Sequence, residues 1–187
     1  MLATAHMLAG ASVGRFIRRA WFALPIALAS HFALDVIPHL DSHAMFGAPG
    51  GPTRGEVTMT ALDTLAGIAL VLVPTWRLPH RGLPLAAAFF GIAPDLDNLP
   101  VLGAGMRSSP LAPYVAWHHA IQHNVTPDVW MLGFGTQVAV VLVAAWFLLR
   151  PVQQGGTTPR ASTRRRLPGR SLGPGRGFRR GGRAGSG

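Results

Sequence analysis

The sequence predicts an all-α protein: a polytopic bundle of four to five transmembrane helices over residues 1–149, followed by a disordered Arg/Gly/Pro-rich tail over residues 150–187. Three observations predict it. Of 187 residues, 49% are hydrophobic and 13% charged, against about 25% charged in an ordinary soluble domain. Residues 129–149 run for twenty-one positions without a charge, enough to cross a hydrocarbon core of about 30 Å. The net charge of +10 is not spread over the chain: residues 1–149 hold seven arginines and all seven acids, while 150–187 hold ten arginines and no acid.

The earliest segment, residues 1–16, is apolar and alanine-rich but short for a span. It reads as a fifth, short helix with its N-terminus outside, the favoured reading, or as an interfacial segment on the cytoplasmic face. No cleavable signal peptide is expected, because the first arginines follow the apolar stretch rather than precede it. Residues 20–39 form the first long span, interrupted by His31 and Asp35; residues 59–76 form the second, with Asp63; residues 82–102 form the third, with Asp95 and Asp97; residues 129–149 form the last. Arg15, Arg18 and Arg19 precede the first of these, Arg77 and Arg81 lie between the second and third, and Arg150 follows the last. If the spans alternate, all six fall on one side, which the distribution of basic residues makes cytoplasmic. Trp21, Trp76 and Trp146 at inner ends, and Trp117 and Trp130 at the outer side, fit an interfacial aromatic belt.

With that topology drawn, nearly every His and Asp of residues 1–149 lands on the outer side. Ionisable groups in spans are costly and by default mark a functional site. His31 and Asp35, Asp35 and His39, and His119 and His123 are each four residues apart, a spacing that shares one helical face. A Pro-x-Leu-Asp element occurs twice, at Pro38-His39-Leu40-Asp41 and Pro94-Asp95-Leu96-Asp97. Cysteine is absent, so any metal must be held by His, Asp or Glu, ligands that suit Zn, Mn, Fe or Mg. The alternative for these groups is hydrogen bonding between helices, worth about 0.6 kcal/mol on average, and Asp63 fits it as well as it fits ligation. His43 and His80 read as ordinary loop histidines, and Asp128 as a helix-entry residue.

These motifs resemble the membrane-bound metal-dependent hydrolases, a bacterial inner-membrane family that includes a DNA-damage-inducible member. Ala5-His6 resembles the family's early Gly-His, and Ala93-Pro94-Asp95-Leu96-Asp97 its Leu-Pro-Asp-x-Asp stretch. His118-His119-Ala120-Ile121-Gln122-His123-Asn124 is similar to its His-Arg-Gly-x-Thr-His-Ser element, with the arginine and hydroxyls replaced. Ser30-His31-Phe32-Ala33-Leu34-Asp35 resembles its Ser-His-x-x-x-Asp helix, here second in order rather than last. The resemblance implies metal-dependent hydrolysis in the bacterial inner membrane and brings His6 into the site.

The expectation is therefore an integral membrane metal-dependent hydrolase with its site at the outer face, acting on a lipid or phosphoester substrate. His6, His31, Asp35, His39, Asp95, His118, His119 and His123 form the expected pool of ligands for a divalent ion, with Asp41 or Asp97 as general base. An ion or small-molecule transporter and a non-catalytic metal-stabilised scaffold are the rivals. The tail is expected to stay cytoplasmic and meet anionic lipid headgroups, at about 1 kcal/mol per arginine near the surface. No specific nucleic acid is expected, since Phe178 is its one aromatic residue.

Overall fold

A computed structural model of the chain describes residues 2–49 and 52–150. The expected tail, apart from Arg150, lies outside the described residues. Those described are helical, without a strand among them, and His39 and Asn124 form an isolated bridge.

Helix α1 (Ala3–Phe16) is the innermost element. Thr4, Ala5, His6, Met7, Leu8, Gly10, Ala11, Ser12 and Gly14 are buried on it, and it packs against α2 (Ala20–Asp35), α4 (Arg54–Thr75), α5 (Gly82–Ile92) and α8 (Trp130–Leu149). A helix enclosed by four others is not an interfacial segment, so that alternative is set aside. Its fourteen residues rise only about 21 Å. Helices around it, not lipid, cover its surface.

Small residues let α1 approach α5 so closely. The two run antiparallel, with His6 beside Gly91 and Gly10 beside Ala87 and Ala88. A Cβ at Gly91 would lie 2.5 Å from the His6 carbonyl oxygen, and one at Gly10 would overlap the Ala87 carbonyl. Gly10-x-x-x-Gly14 is thus a small-xxx-small contact of the kind that joins helices in membranes.

Proline sets where α2 and α5 end. Pro38 disfavours helical backbone at Ile37, and α2 stops at Asp35, short of the expected residue 39. A short α3 (Ser42–Phe46) follows, its first turn closed by Asp41, whose carboxylate accepts the Ala44 N–H at 2.6 Å. Helix α4 begins at the N-cap Thr53, whose hydroxyl accepts the Glu56 N–H at 3.1 Å. The expected third span is broken: α5 passes into a 3-10 turn over Ala93–Asn98, containing Pro94, and α6 (Pro100–Arg107) leaves at a bend of 73°. Helix α7 (Ala112–Ile121) and a short 3-10 turn (Pro127–Val129) lead into α8.

By length and composition α4 and the segment Pro127–Leu149 are apolar enough to cross a membrane, and the bent α5–α6 pair makes a third if counted as one span. Their outer surfaces carry Leu62, Leu65, Val73, Met131, Leu142 and Leu149, all more than half exposed. Large apolar side chains exposed in such number mark a membrane or protein contact.

The bundle has two unlike ends. At one, the Arg15 guanidinium donates to the Arg150 carbonyl, Arg150 lies 3.7 Å over the Trp146 ring, and Arg81 lies 4.8 Å over Trp76. At the other, α1 begins, α2 and α5 end, and Asp63 of α4 accepts the Thr4 N–H at 3.1 Å.

Candidate metal centre

Three helix C-termini bring the site together. Asp35 is the last residue of α2, Asp95 and Asp97 lie in the 3-10 turn that continues α5, and His118 and His119 sit in the last turn of α7. Each helix end carries about half a negative charge in its unpaired carbonyls. Three carboxylates added to three such ends make a place that attracts cations.

Backbone pairing fixes α7 against α2. The His123 N–H donates to the Asp35 carbonyl at 2.8 Å, the His39 N–H to the His123 carbonyl at 3.1 Å, and the Val125 N–H to the His39 carbonyl at 2.8 Å. Helix α8 holds the same loop, with the Gln137 amide donating to the Leu40 carbonyl at 2.6 Å.

At the centre, His31 Nε2 and His118 Nε2 are 3.0 Å apart, and Asp35 Oδ2 lies 3.0 Å from the first and 3.2 Å from the second. All three side chains are fully buried. Asp95 Oδ1 stands 3.7 and 3.9 Å from the same two nitrogens. Each imidazole is held by its far side. His31 Nδ1–H donates to the Gly91 carbonyl at 2.8 Å, and His118 Nδ1–H to Asp97 Oδ2 at 2.9 Å. That leaves both Nε2 atoms as lone pairs facing one carboxylate oxygen. Lone pairs at such separations repel unless a cation lies among them. Bonds of about 2.1 Å at right angles put neighbouring ligand atoms about 3.0 Å apart, and tetrahedral ones about 3.4 Å. The observed triangle, with edges of 3.0, 3.0 and 3.2 Å, is nearer the right-angled arrangement.

Electrostatics points the same way. Burial would lower the His118 pKa, but Asp35 and Asp97 outweigh it and hold the ring up at about 9. Tyr114, stacked on His118 at 5.9 Å, is pushed up to about 12 by burial and by Asp97, Asp95 and Asp35.

Two further groups complete the cluster. His6 stacks on His31 with ring centroids 4.0 Å apart, its Nε2 3.2 Å from Asp35 Oδ1. His119, 46% exposed, reaches Asp97 Oδ2 at 3.4 Å. Candidate ligand groups are thus His31, Asp35 and His118; His6, His31 and Asp95; and Asp97, His118 and His119.

The structure brings together His6, His31, Asp35, Asp95, Asp97, His118 and His119 from the expected set, and leaves three residues aside. The His39 ring donates from Nδ1 to the Ile37 carbonyl at 2.7 Å, because Pro38 turns the chain away from the α2 face that His31 and Asp35 share. Asp41 caps α3. His123 lies beyond the end of α7 with its ring exposed, and it serves the site through its backbone. Asp97, expected as a base, orients His118 instead. Sequence reasoning passed over Gly91, whose carbonyl fixes His31, and Tyr114; the short distance from Tyr114 to His118, one turn apart in sequence, was the available signal.

Comparison with models of known protein families, with curated proteins and with solved structures gives no match.

Proposed function

We propose that this chain is a membrane-embedded, metal-dependent hydrolase whose site lies at the bundle end opposite the arginines. The observation that carries the reading is the convergence of His31 Nε2, His118 Nε2 and Asp35 Oδ2 within 3.0–3.2 Å, with each imidazole fixed from behind by a carbonyl or a carboxylate. Ligating histidines are characteristically oriented in this way. A divalent ion held there supplies a water of pKa near 7 and polarises an ester oxygen.

The chain's own residues divide the remaining work. Asp97 orients His118. Asp95, with 18% of its side chain exposed, stands nearest the open side of the site, and we assign it the general base. The Asn98 amide donates to Asp95 Oδ1 at 3.2 Å and also lines a cleft of about 810 Å³ together with Arg107, His43 and Glu56. Glu56 faces His43 at 3.2 Å. Arg107 then offers its charge to an anionic group, which favours a phosphoester substrate, and the position at a membrane surface favours a lipid headgroup. With arginines marking the cytoplasmic side, α1, α2, the α5–α6 pair, α4 and α8 make five membrane-inserted segments of a bacterial inner-membrane protein, and the tail meets anionic lipid.

The buried ionisable residues also weigh against a transport pathway. His6, His31, Asp35, His39, Asp97 and His118 all gather at one end, whereas a pathway would distribute such groups through the depth of the bundle. The test is metal analysis of detergent-purified protein beside His31→Ala and His118→Ala, followed by hydrolysis assays on phosphoester and carboxyester substrates. Stoichiometric metal and turnover in the wild type, with less metal in both variants, are expected. A wild type that binds no metal, or binds it without any turnover, overturns the hydrolase.

A further inference from the structure

His6 is the buried group that a one-ion site leaves unexplained. Its ring is fully buried at the start of the innermost helix, and its Nδ1 has no hydrogen-bond partner. A buried ring nitrogen without a partner loses its hydration and gains nothing in return. Yet Nε2 is aimed at the cluster, 3.2 Å from Asp35 Oδ1.

The stacking of the rings shows what it is aimed for. His6 and His31 lie almost parallel, 26° between planes and 4.0 Å between centroids. Their Nε2 atoms face different oxygens of the same carboxylate, His6 facing Oδ1 at 3.2 Å and His31 facing Oδ2 at 3.0 Å. A carboxylate presented to two imidazoles in this way bridges two cations, and bridged ions in hydrolytic two-metal sites lie about 3.5–4 Å apart. The spacing of the stacked rings matches that separation.

From this, and resting on the hydrolase reading above, we infer that the centre holds two divalent ions bridged by Asp35. One is bound by His31, His118 and Asp35 Oδ2. The other is bound by His6, Asp35 Oδ1 and one oxygen of Asp95, whose ligand atom lies within 4.8 Å of those of His6 and His31, while the second Asp95 oxygen keeps the general-base role. Charge agrees with two ions. Asp35, Asp95 and Asp97 outweigh a single dication by one unit, in a place where three helix C-termini already disfavour negative charge. Two dications leave one unit of positive charge, which suits an anionic substrate. The inference also gives α1 a chemical reason to run through the middle of the bundle, since it delivers His6.

The experiment is metal counting by mass spectrometry on full-length protein in detergent, saturated with Mn²⁺ and freed of excess, with electron paramagnetic resonance on the same samples. Two ions per chain and an exchange-coupled spectrum are expected for the wild type. His6→Gln and His6→Ala should each hold one ion and give the six-line signal of isolated Mn²⁺. One ion in the wild type, or two retained in both His6 variants, overturns the two-ion centre and leaves the hydrolase standing. No ion in the wild type overturns both. Should the His6 variants fail to fold, the wild-type count and its spectrum decide alone.

Discussion

His118 and Asp97 are joined by a fully buried hydrogen bond, His118 Nδ1–H donating to Asp97 Oδ2 at 2.9 Å. The bond fixes which nitrogen of the ring faces the cluster and makes that nitrogen a better donor to a cation. Asp97→Asn should therefore lower metal affinity by about 10- to 100-fold without changing the number of ions bound at saturation. Titration against a competing chelator measures this. Unchanged affinity would remove Asp97 from the site's support.

The expected and observed positions of the histidines part at the end of α7. His123→Ala should keep its metal, because its ring is exposed and only its backbone ties α7 to α2. His118→Ala should hold fewer ions than the wild type. Metal counts on the two purified variants check both outcomes, and loss in His123→Ala would mean that the loop contributes its side chain after all.

Asp63 is a structural residue in this fold. Its carboxylate accepts the Thr4 N–H at 3.1 Å, and its carbonyl accepts the Thr4 hydroxyl at 2.7 Å. The first N–H groups of a helix have no partner within it, so α4 caps α1 from outside. Asp63→Ala should destabilise the protein by about 1–3 kcal/mol and leave metal stoichiometry intact, as thermal unfolding in detergent and metal analysis would report.

Glycines of the bundle should differ sharply. Gly10→Ala places a methyl group against the Ala87 carbonyl, an overpacking that should cost about 1–3 kcal/mol. Gly135→Ala in α8 meets nothing within 4 Å and should be neutral or slightly stabilising. Equal melting temperatures for the two variants would refute the close α1–α5 contact.

His39, beyond the end of α2, gives a pH dependence. Burial pushes its pKa down to about 4, against about 6.5 in an unfolded chain. The unfolded state then takes up the proton first, so this contribution to stability is complete above pH 6.5 and is lost as pH falls towards 4. His39→Asn retains a donor for the Ile37 carbonyl and cannot titrate. The metal-free variant should lose less stability than metal-free wild type between those two pH values, followed by thermal melts. Parallel curves would refute the assignment.

Much of this was legible in the sequence, for identifiable reasons. The uncharged run in α8 and the apolar α4 followed from the bilayer's length requirement, and the one-ended gathering of His and Asp followed from counting arginines. His31 and Asp35 share a face because a regular helix joins them, so spacing alone sufficed. Spacing failed wherever the helix ended early. Pro38 removed His39 and Asp41 from the α2 face, and the end of α7 at Ile121 removed His123 from the face of His119.

What the sequence determined by itself is the class of molecule, an apolar helical bundle with arginine at one end and ionisable residues at the other, because hydropathy and charge are properties of residues. What only the tertiary structure decided is which of those residues meet. The central place of α1 came from Gly10 and Gly91 admitting two backbones to contact, and the triangle of His31, Asp35 and His118 came from a backbone pairing between loops separated by more than eighty positions. Such contacts depend on shape complementarity between distant segments, which no local pattern encodes.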